Sequence, residues 1–368
     1  MSIKDLRLKT SNLKVQILDP LPCPSCTSLL IVLRLVLLLA AFVYALACAA
    51  KPRGPLAYVT NERDGTVTVI DTAADRVVET WRVGGRLRGV RLSADGRTVY
   101  VASSTPSGKG YDARENHVAA IDAATGEVSK TYEVGPDPEQ LAVLPDGSRL
   151  YASNEDAGTA SAVDLKTGRT LATLVVGIEP EGVRASPDGR WVYVTAETSN
   201  TVSVIDTDRD EVASTFVVDP RPRDAAFSPD GARAYVTTEI GRTLVVVDTS
   251  SHRVLRSVAV PDGETGVKPM GVVVSPDGAR VYVATGRGNT VDVFDTTTFK
   301  LLARVAVGQR PWGLAVTPDG RKVYAACGGS DAHAPGANEV TVIDTATNTV
   351  AGHVKAGDGP WGIAIGER

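Results

Sequence analysis

Acidic residues recur in pairs at matching places in the sequence. In the stretch VGIEPEGVRASPDGRWVYVTAE, Glu181 follows a proline and Glu197 comes just after the next apolar run. The Ser-Pro-Asp-Gly segment predicts a turn that folds two strands together. That pairing would put Glu181 opposite Ala196 and therefore beside Glu197. Two carboxylates held close together cost free energy unless a cation, an arginine or a raised pKa relieves them, so this pair is a candidate for binding or catalysis.

Equivalent positions elsewhere carry a different mixture of charges. Glu139 should meet Glu155 in the same way, and Arg223 should meet Glu239. The residue after the proline, or after the leucine that replaces it once, varies in type, which a purely structural position does not require. Those residues are Arg88, Glu139, Glu181, Arg223, Met270, Trp312 and Trp361. Together with Glu155, Glu197 and Glu239 they are the predicted ligand-binding residues.

These residue types suit more than one ligand. Oxygen-rich clusters favour a Ca²⁺-like cation, and arginines beside them favour a small polar molecule with several carboxylates. Trp312 and Trp361, each in a PWG segment, could stack on a planar quinone such as PQQ or could fill space between structural units. A solvated rim of mutually neutralising charges, with no ligand, is the alternative.

The elements that position these residues are repeats. A tyrosine recurs seven times near the end of a strand-like segment, and the position four residues after it is the one that Glu155, Glu197 and Glu239 occupy in their repeats. These tyrosines are Tyr58, Tyr100, Tyr151, Tyr193, Tyr235, Tyr282 and Tyr324. An aspartate that ends an apolar, β-branched run also recurs seven times: Asp71, Asp122, Asp164, Asp206, Asp248, Asp295 and Asp344. Repeats of roughly 40–50 residues with four short strands each indicate propeller blades. The sequence predicts an all-β, seven-bladed β-propeller with four-stranded antiparallel blades.

The two ends of the repeat region predict how the ring closes. It begins with the strand AYVTNE, which lacks a preceding innermost strand, and it ends with GPWGIAI, an innermost strand without a successor. The C-terminal strand should therefore complete the N-terminal blade, which would remove two exposed strand edges. The innermost strands surround the channel, so the predicted ligand-binding residues should lie at one channel mouth.

The first fifty of the 368 residues differ from the remainder. Lysines and arginines precede LLIVLRLVLLLAAFVYALACAA, which is typical of an export leader with a cleavage site. We expect residues 1–50 to be this leader and 51–368 a single propeller in the periplasm. Lipid attachment at Cys48 and a retained membrane anchor are the alternatives. The net charge of −4 gives no electrostatic footprint for duplex nucleic acid.

The repeats resemble the YVTN-type β-propeller family over nearly all of residues 55–368. The segments GPDPE, GIEPEG, DPRPR and GQRPWG look most like propellers associated with PQQ-dependent catabolism. That resemblance implies an exported protein whose partners are a periplasmic quinoprotein dehydrogenase or transport components.

No catalytic motif such as G-x-S-x-G, HExxH or a P-loop occurs in the sequence. We therefore expect a non-catalytic binding or scaffold protein that serves a PQQ-linked pathway. The alternatives are a lactonase-type hydrolase that uses Glu139 or Glu181, and a propeller that binds single-stranded nucleic acid, for which the acidic rim is unfavourable.

Overall fold

The computed structural model describes residues 54–105, 112–263, 266–329 and 335–367. The predicted leader and Cys48 lie outside these residues. The described part forms seven antiparallel sheets of four strands each, which confirms the predicted fold. None of its helices is long and apolar enough to span a membrane.

Each blade has an innermost strand, two middle strands and an outer strand, and the strands are numbered along the chain. The strands next to the innermost position are β1 (Leu56–Asn61), β5 (Thr98–Ser104), β9 (Arg149–Asn154), β13 (Trp191–Ala196), β17 (Arg233–Thr238), β21 (Arg280–Ala284) and β25 (Lys322–Cys327). The third strands are β2 (Thr66–Asp71), β6 (His117–Asp122), β10 (Thr159–Asp164), β14 (Thr201–Asp206), β18 (Thr243–Asp248), β22 (Thr290–Asp295) and β26 (Glu339–Asp344). The outer strands are β3 (Arg76–Arg82), β7 (Val128–Glu133), β11 (Thr170–Val175), β15 (Glu211–Val217), β19 (Arg253–Ala259), β23 (Leu301–Ala306) and β27 (Thr349–Lys355).

The innermost strands form a continuous ring in which each contacts the next. They are β4 (Arg86–Leu92), β8 (Pro138–Val143), β12 (Pro180–Ala185), β16 (Pro222–Phe227), β20 (Val272–Val274), β24 (Pro311–Val316) and β28 (Pro360–Gly366). We number the blades 1 to 7 in the order β28-β1-β2-β3, β4–β7, β8–β11, β12–β15, β16–β19, β20–β23 and β24–β27. Short 3₁₀ turns at Ala113–Glu115, Glu155–Ala157 and Gly286–Gly288 complete the described elements.

The C-terminal strand closes the ring as the sequence predicts. Strand β28 pairs antiparallel with β1, so that Leu56 lies opposite Gly366 and Tyr58 opposite Ala364. Blade 1 therefore combines the two ends of the repeat region. The hydrogen bonds between these strands satisfy the backbone groups that an open ring would leave on two edges.

The hydrophobic core lies between neighbouring blades. All seven repeat tyrosines are buried, with at most 7% of their surface exposed. One core cluster, for example, packs Tyr58 and Val69 of blade 1 against Val90 and Val99 of blade 2. Burying large aromatic and β-branched side chains in each such layer supplies most of the stabilisation of the ring.

Local hydrogen bonds explain the recurring Asp residues. The carboxylate of Asp295 accepts hydrogen bonds from the backbone N–H groups of Thr297 and Thr298, at 3.1 and 2.6 Å. In the Ser-Pro-Asp-Gly turns the serine hydroxyl donates to the aspartate, as in Ser228 to Asp230 at 2.5 Å. These side chains satisfy turn backbone groups and so fix where each strand ends.

Candidate functional site

Hydroxyl groups on the strands next to the innermost position hold the residues at the channel mouth in place. Two residues after the repeat tyrosine, a threonine or serine in four blades donates to the carbonyl of the residue that follows the proline in the next blade. The pairs are Thr60 to Arg88 at 2.5 Å, Ser153 to Glu181 at 2.7 Å, Thr195 to Arg223 at 3.1 Å, and Thr237 to Met270. This hydroxyl therefore fixes the backbone of the mouth residue in the next blade, which explains why threonine or serine occurs at this position of the repeat.

Glycine follows most of these mouth residues because the innermost strands pack closely. A Cβ atom on Gly182 would lie 2.6 Å from the carbonyl oxygen of Arg223, and one on Gly313 would lie 2.4 Å from that of Trp361. Real Cβ atoms do not approach backbone oxygens so closely. The close packing of the innermost strands therefore requires glycine at these positions.

Asparagines in the preceding blade hold the residue before the proline. The side-chain oxygens of Asn116, Asn200, Asn289 and Asn338 accept hydrogen bonds from the backbone N–H groups of Asp137, Arg221, Arg310 and Gly359 at 2.8–3.0 Å. Asp137, Arg221 and Arg310 adopt positive φ values of 48°, 62° and 50°. The same left-handed conformation occurs in turns away from the mouth, for example at Asp210 and Asn348, so here it reflects a tight turn before the proline.

The first charge cluster joins blades 1, 2 and 3. Arg86 binds Glu62 at 2.9 Å, Asp137 at 3.0 Å and Glu139 at 3.3 Å. Arg88 binds Glu62 at 3.0 Å and also contacts Glu139, whose side chain is completely buried. Two arginines thus hold three carboxylates in a fixed arrangement at one side of the mouth.

The second charge cluster joins blades 4, 5 and 6. Arg223 binds Glu181 at 3.1 Å and Glu239 at 3.5 Å, and it also contacts Glu197. Arg221 binds Glu197 at 2.6 Å and Glu239 at 2.9 Å.

Lys268 adds a contact of 2.5 Å to Glu239. The predicted Arg223–Glu239 pair is therefore present in the second cluster. Glu181 and Glu197 share a single guanidinium, which relieves the repulsion that the sequence implied.

The predicted register that placed Glu181 opposite Ala196 is wrong by one residue. Pro180 lies opposite Ala196, and the pairing is irregular between Pro180 and Val183. The same irregularity follows Pro138, Pro222 and Pro311. The bulge adds a residue to the innermost strand, which bends the strand and turns the following side chain towards the mouth.

The clusters alter the acidity of their members in different ways. Burial raises the pKa of Glu139, against the opposing effect of Arg88, and burial also raises the pKa of Glu181. The pKa of Glu155 is raised by burial and by the charge of Glu181, although a hydrogen bond with Glu139 opposes this. Burial acts to raise the pKa of Glu239 as well, but the hydrogen bond from Lys268 and the charge of Arg223 outweigh it and lower that pKa.

The pKa of Arg88 is also shifted. Burial favours its neutral form, but the charges of Glu139 and Glu62 outweigh burial and raise its pKa above the ordinary value. Arg88 is therefore a permanent cation at the mouth.

The two tryptophans join the clusters across the mouth. The ring centroids of Trp312 and Trp361 are 5.6 Å apart with an angle of 35° between the planes. The guanidinium of Arg88 lies 5.1 Å from the ring of Trp361, and that of Arg223 lies 4.8 Å from the ring of Trp312. Arginine stacking of this kind is attractive. An arginine of the protein therefore covers one face of each indole.

Carboxylates of Asp137, Glu139 and Glu155 come close enough to share a cation. One oxygen from each lies within 4.8 Å of the others. Arg86 and Arg88, however, already bind Asp137 and Glu139. A hard cation at this point would therefore lie next to two guanidinium groups.

A cleft of about 240 Å³ opens at the mouth between blades 7, 1 and 2. It is lined by Glu62, Arg63, Arg88, Arg310, Trp312, Gly328, Gly329, Gly359, Pro360 and Trp361. Only Arg88, Trp312 and Trp361 of the predicted ligand-binding residues reach it. Among the other predicted residues, Glu139, Glu155, Glu181, Glu197, Arg223 and Glu239 belong to the charge clusters or lie beside them, and Met270 is buried.

The sequence interpretation missed Glu62, Arg86, Arg221, Lys268 and Arg310 as site residues. Four of them precede the proline or its leucine replacement, so the same alignment of repeats that gave the predicted residues would have found them two positions earlier. Glu62 occupies the position four residues after Tyr58, and its role depends on the cleft that ring closure creates beside it.

Comparison with known proteins identifies related propellers. Residues 214–335 match the family model described as Lactonase, 7-bladed beta-propeller, which is roughly a third of the chain. The matched part contains Arg221, Arg223, Glu239, Lys268 and Arg310 of the mouth. No curated protein sequence is similar enough to count as a relative.

Solved structures share the fold over most of their length. The hydrazine synthase of Kuenenia stuttgartiensis is 25% identical, with a TM-score of 0.63, over 76% of this chain and 90% of that one. Candidate 6-phosphogluconolactonases from Bacteroides fragilis and Bacteroides uniformis are each 19% identical. Their TM-scores are 0.69 and 0.68. The matches cover 86% and 85% of this chain, and 99% and 100% of the two Bacteroides chains.

These findings correct the expected function. We expected a non-catalytic binding or scaffold protein, and the lactonase match contradicts that expectation and favours the hydrolase alternative. The two Bacteroides structures agree with it at the level of fold. The chain is a seven-bladed propeller whose later blades are similar to the lactonase propeller family.

Proposed function

We propose that the protein hydrolyses a lactone, a cyclic ester, in the cleft at the channel mouth. One observation carries the proposal: the carboxylate of Glu62 and the guanidinium of Arg88, 3.0 Å apart, line the same cleft. Ester hydrolysis needs a base for water and a donor for the carbonyl oxygen, and these two groups supply them. The family-model match over residues 214–335 supports this reaction class.

Glu62 is the proposed general base. Its side chain is 24% exposed, so water in the cleft can reach it. The carboxylate takes a proton from the water while the water oxygen bonds to the lactone carbonyl carbon. The ring C–O bond of the tetrahedral intermediate then breaks, and the leaving alkoxide takes the proton back, which gives the open hydroxy acid.

Arg88 is the proposed donor to the carbonyl oxygen. Because its pKa is raised, it stays charged and can stabilise the oxyanion. Glu139, the Glu62 carboxylate and the ring of Trp361 hold it from three sides. Glu139 and Glu181, which the sequence suggested as lactonase carboxylates, are 0% and 4% exposed. We therefore assign them a positioning role for the two arginines.

Arg310 is the proposed anchor for a negatively charged group on the lactone. It lines the cleft, and its side chain makes no hydrogen bond or ion pair with any residue that the structure describes. Arg63, in contrast, already binds Asp358 at 2.8 Å and the carbonyl of Gly328 at 2.8 Å. A free guanidinium favours lactones that carry a phosphate or carboxylate.

The test is a ring-opening assay with a panel of neutral, carboxylated and phosphorylated sugar lactones. Proton release is followed with a pH indicator and corrected for spontaneous hydrolysis. We expect Glu62→Gln to lower kcat by about 10²–10⁴-fold, whereas Glu127→Gln, which changes an exposed glutamate remote from the cleft, leaves it unchanged. Arg310→Met should raise KM for anionic lactones more than for neutral ones. No hydrolysis above the spontaneous rate, or equal activity of Glu62→Gln and the wild type, would refute the proposal.

We also propose that the protein is exported and that it is related to the YVTN-type and PQQ-associated propellers. The apolar stretch in residues 1–50 and the seven repeat tyrosines support this. Mass spectrometry of the protein from its own host measures the outcome. We expect the mass of a chain that begins near residue 50, with or without lipid on Cys48. The mass of the full-length chain would contradict export.

A further inference from the structure

A second polar site lies inside the channel, beyond the charge clusters at the mouth. Six charged or amide side chains from four successive innermost strands line one small cavity: Arg91, Gln140, Glu181, Arg184, Arg223 and Asp224. Met270, Leu314 and Ile363 cover the other side. None of the roles proposed for lactone hydrolysis uses Arg91, Gln140, Arg184 or Asp224.

The charges of this cavity do not cancel. Arg223 binds Glu181 at 3.1 Å. Arg184 binds Asp224 through two hydrogen bonds of 3.0 and 2.7 Å. Arg91 has no ion-pair partner among the described residues, and its guanidinium donates to the carbonyl of Val90 at 2.7 Å. Three cations and two anions leave one surplus positive charge in a confined space.

Three side-chain atoms on residues that line the cavity are buried without a hydrogen-bond partner in the described part of the chain, and one of them is the Nε atom of Arg223. The other two are the Nη2 atom of Arg91 and the Oε1 atom of Gln140. The side chain of Gln140 is only 8% exposed. Unsatisfied buried polar groups are rare and indicate an unseen ion or water. Since a carboxamide can exchange its two ends by rotation, Gln140 can present its NH₂ group to an anion.

The pKa of Arg91 also reflects its surroundings. Burial lowers its pKa to about 9, and the positive charge of Arg184 adds to this effect, although the negative charge of Asp224 opposes it. A bound anion would offset both causes.

We propose that the channel holds one small monovalent anion, of the size of chloride, between Arg91 and Gln140. The cavity volume is about 20 Å³, and a water-sized species needs roughly 10–15 Å³ on this measure. The space therefore admits one halide ion. One negative charge balances the single surplus positive charge. This inference does not depend on the proposed lactone hydrolysis.

Thermal unfolding at constant sodium concentration tests the proposal, with chloride exchanged for gluconate, which is too large to enter. Chloride at ten times its dissociation constant should raise Tm by roughly 2–4 °C and the effect should saturate. Arg91→Met should lose this chloride-dependent gain, while Arg97→Met, at an exposed turn, should keep it. Equal Tm values in the two salts would overturn the proposal, as would a full gain in Arg91→Met.

A second measurement uses the unaltered protein, in case Arg91→Met does not fold. Crystals soaked in bromide should show an anomalous peak within hydrogen-bond distance of the Arg91 guanidinium. A bromide-soaked crystal without a peak in the channel would refute the site, whatever the variants do.

Discussion

Arg223 is the residue on which the second charge cluster depends most. It is 7% exposed, and it is the cation in contact with Glu181, which is itself 4% exposed. Glu197 and Glu239 still bind Arg221 when Arg223 is removed, but Glu181 forms no other ion pair with the described residues, and only the more distant charges of Arg88 and Arg221 still act on it. Removing one partner from a buried ion pair costs about 3–5 kcal/mol because the remaining charge stays buried.

We therefore expect Arg223→Met to lower the free energy of unfolding by about 3–5 kcal/mol at pH 7.5. The effect should depend on pH. The pKa of Glu181 is already raised above its ordinary 4.5, and losing Arg223 raises it further. Below pH 4.5 the glutamate is protonated in both the folded and unfolded states, so most of the loss disappears. The loss returns as pH rises through the folded-state pKa.

Urea denaturation at pH 7.5 and pH 4 measures both quantities. Arg114→Met is the matched control, because Arg114 is 89% exposed and pairs with Asp112 on the surface. That control should leave the free energy of unfolding almost unchanged. Glu181→Gln added to Arg223→Met should recover part of the loss, as a double-mutant cycle. A cost for Arg223→Met within the range of the control, or an equal cost at both pH values, would refute the reasoning.

Three further predictions concern other parts of the mouth. Glu155→Gln should raise Tm at pH 8 and not at pH 4, because the raised pKa of Glu155 means that its ionised form destabilises the fold above pH 4.5; thermal scans at the two pH values decide this. Thr195→Val should lower the free energy of unfolding, measured in urea, by about 1–3 kcal/mol. The reason is that the Thr195 hydroxyl accepts a hydrogen bond from the N–H of Gly182 at 2.9 Å and donates one to the carbonyl of Arg223. Thr170→Val on an exposed outer strand should lower it much less. Gly313→Ala should cost about 1–3 kcal/mol through overpacking, while Gly352→Ala, which meets nothing within 4 Å, should be neutral or stabilising; equal effects of the two substitutions would contradict this.

The sequence predicts the architecture because each repeat carries its own structural signals. The repeat tyrosines are buried between blades, and the recurring aspartates close turns through their own backbone neighbours. These interactions are local or connect adjacent repeats, so their spacing is visible in the sequence. Ring closure follows from the unmatched first and last strands.

The details of the mouth depend on contacts that spacing does not report. The bulge after Pro180 shifts the register by one residue, and only the three-dimensional twist of the innermost strand reveals it. The length of Arg223 lets it reach the ring of Trp312 on blade 7, across the channel. The cleft exists because Trp361 of the last strand lies beside Glu62, which is almost three hundred residues away in the chain.

The pairing of β28 with β1 limits the order in which the blades can be completed during synthesis. Strand β1 leaves the ribosome at the beginning of the propeller, and its partner leaves at the end. Blade 1 therefore keeps one edge unpaired until the six other blades and β28 have been made. Glu62 is synthesised before Trp361, so the cleft between them cannot form until β28 has been made. A chain cut short by premature termination would contain most of the blades and still lack the proposed catalytic cleft.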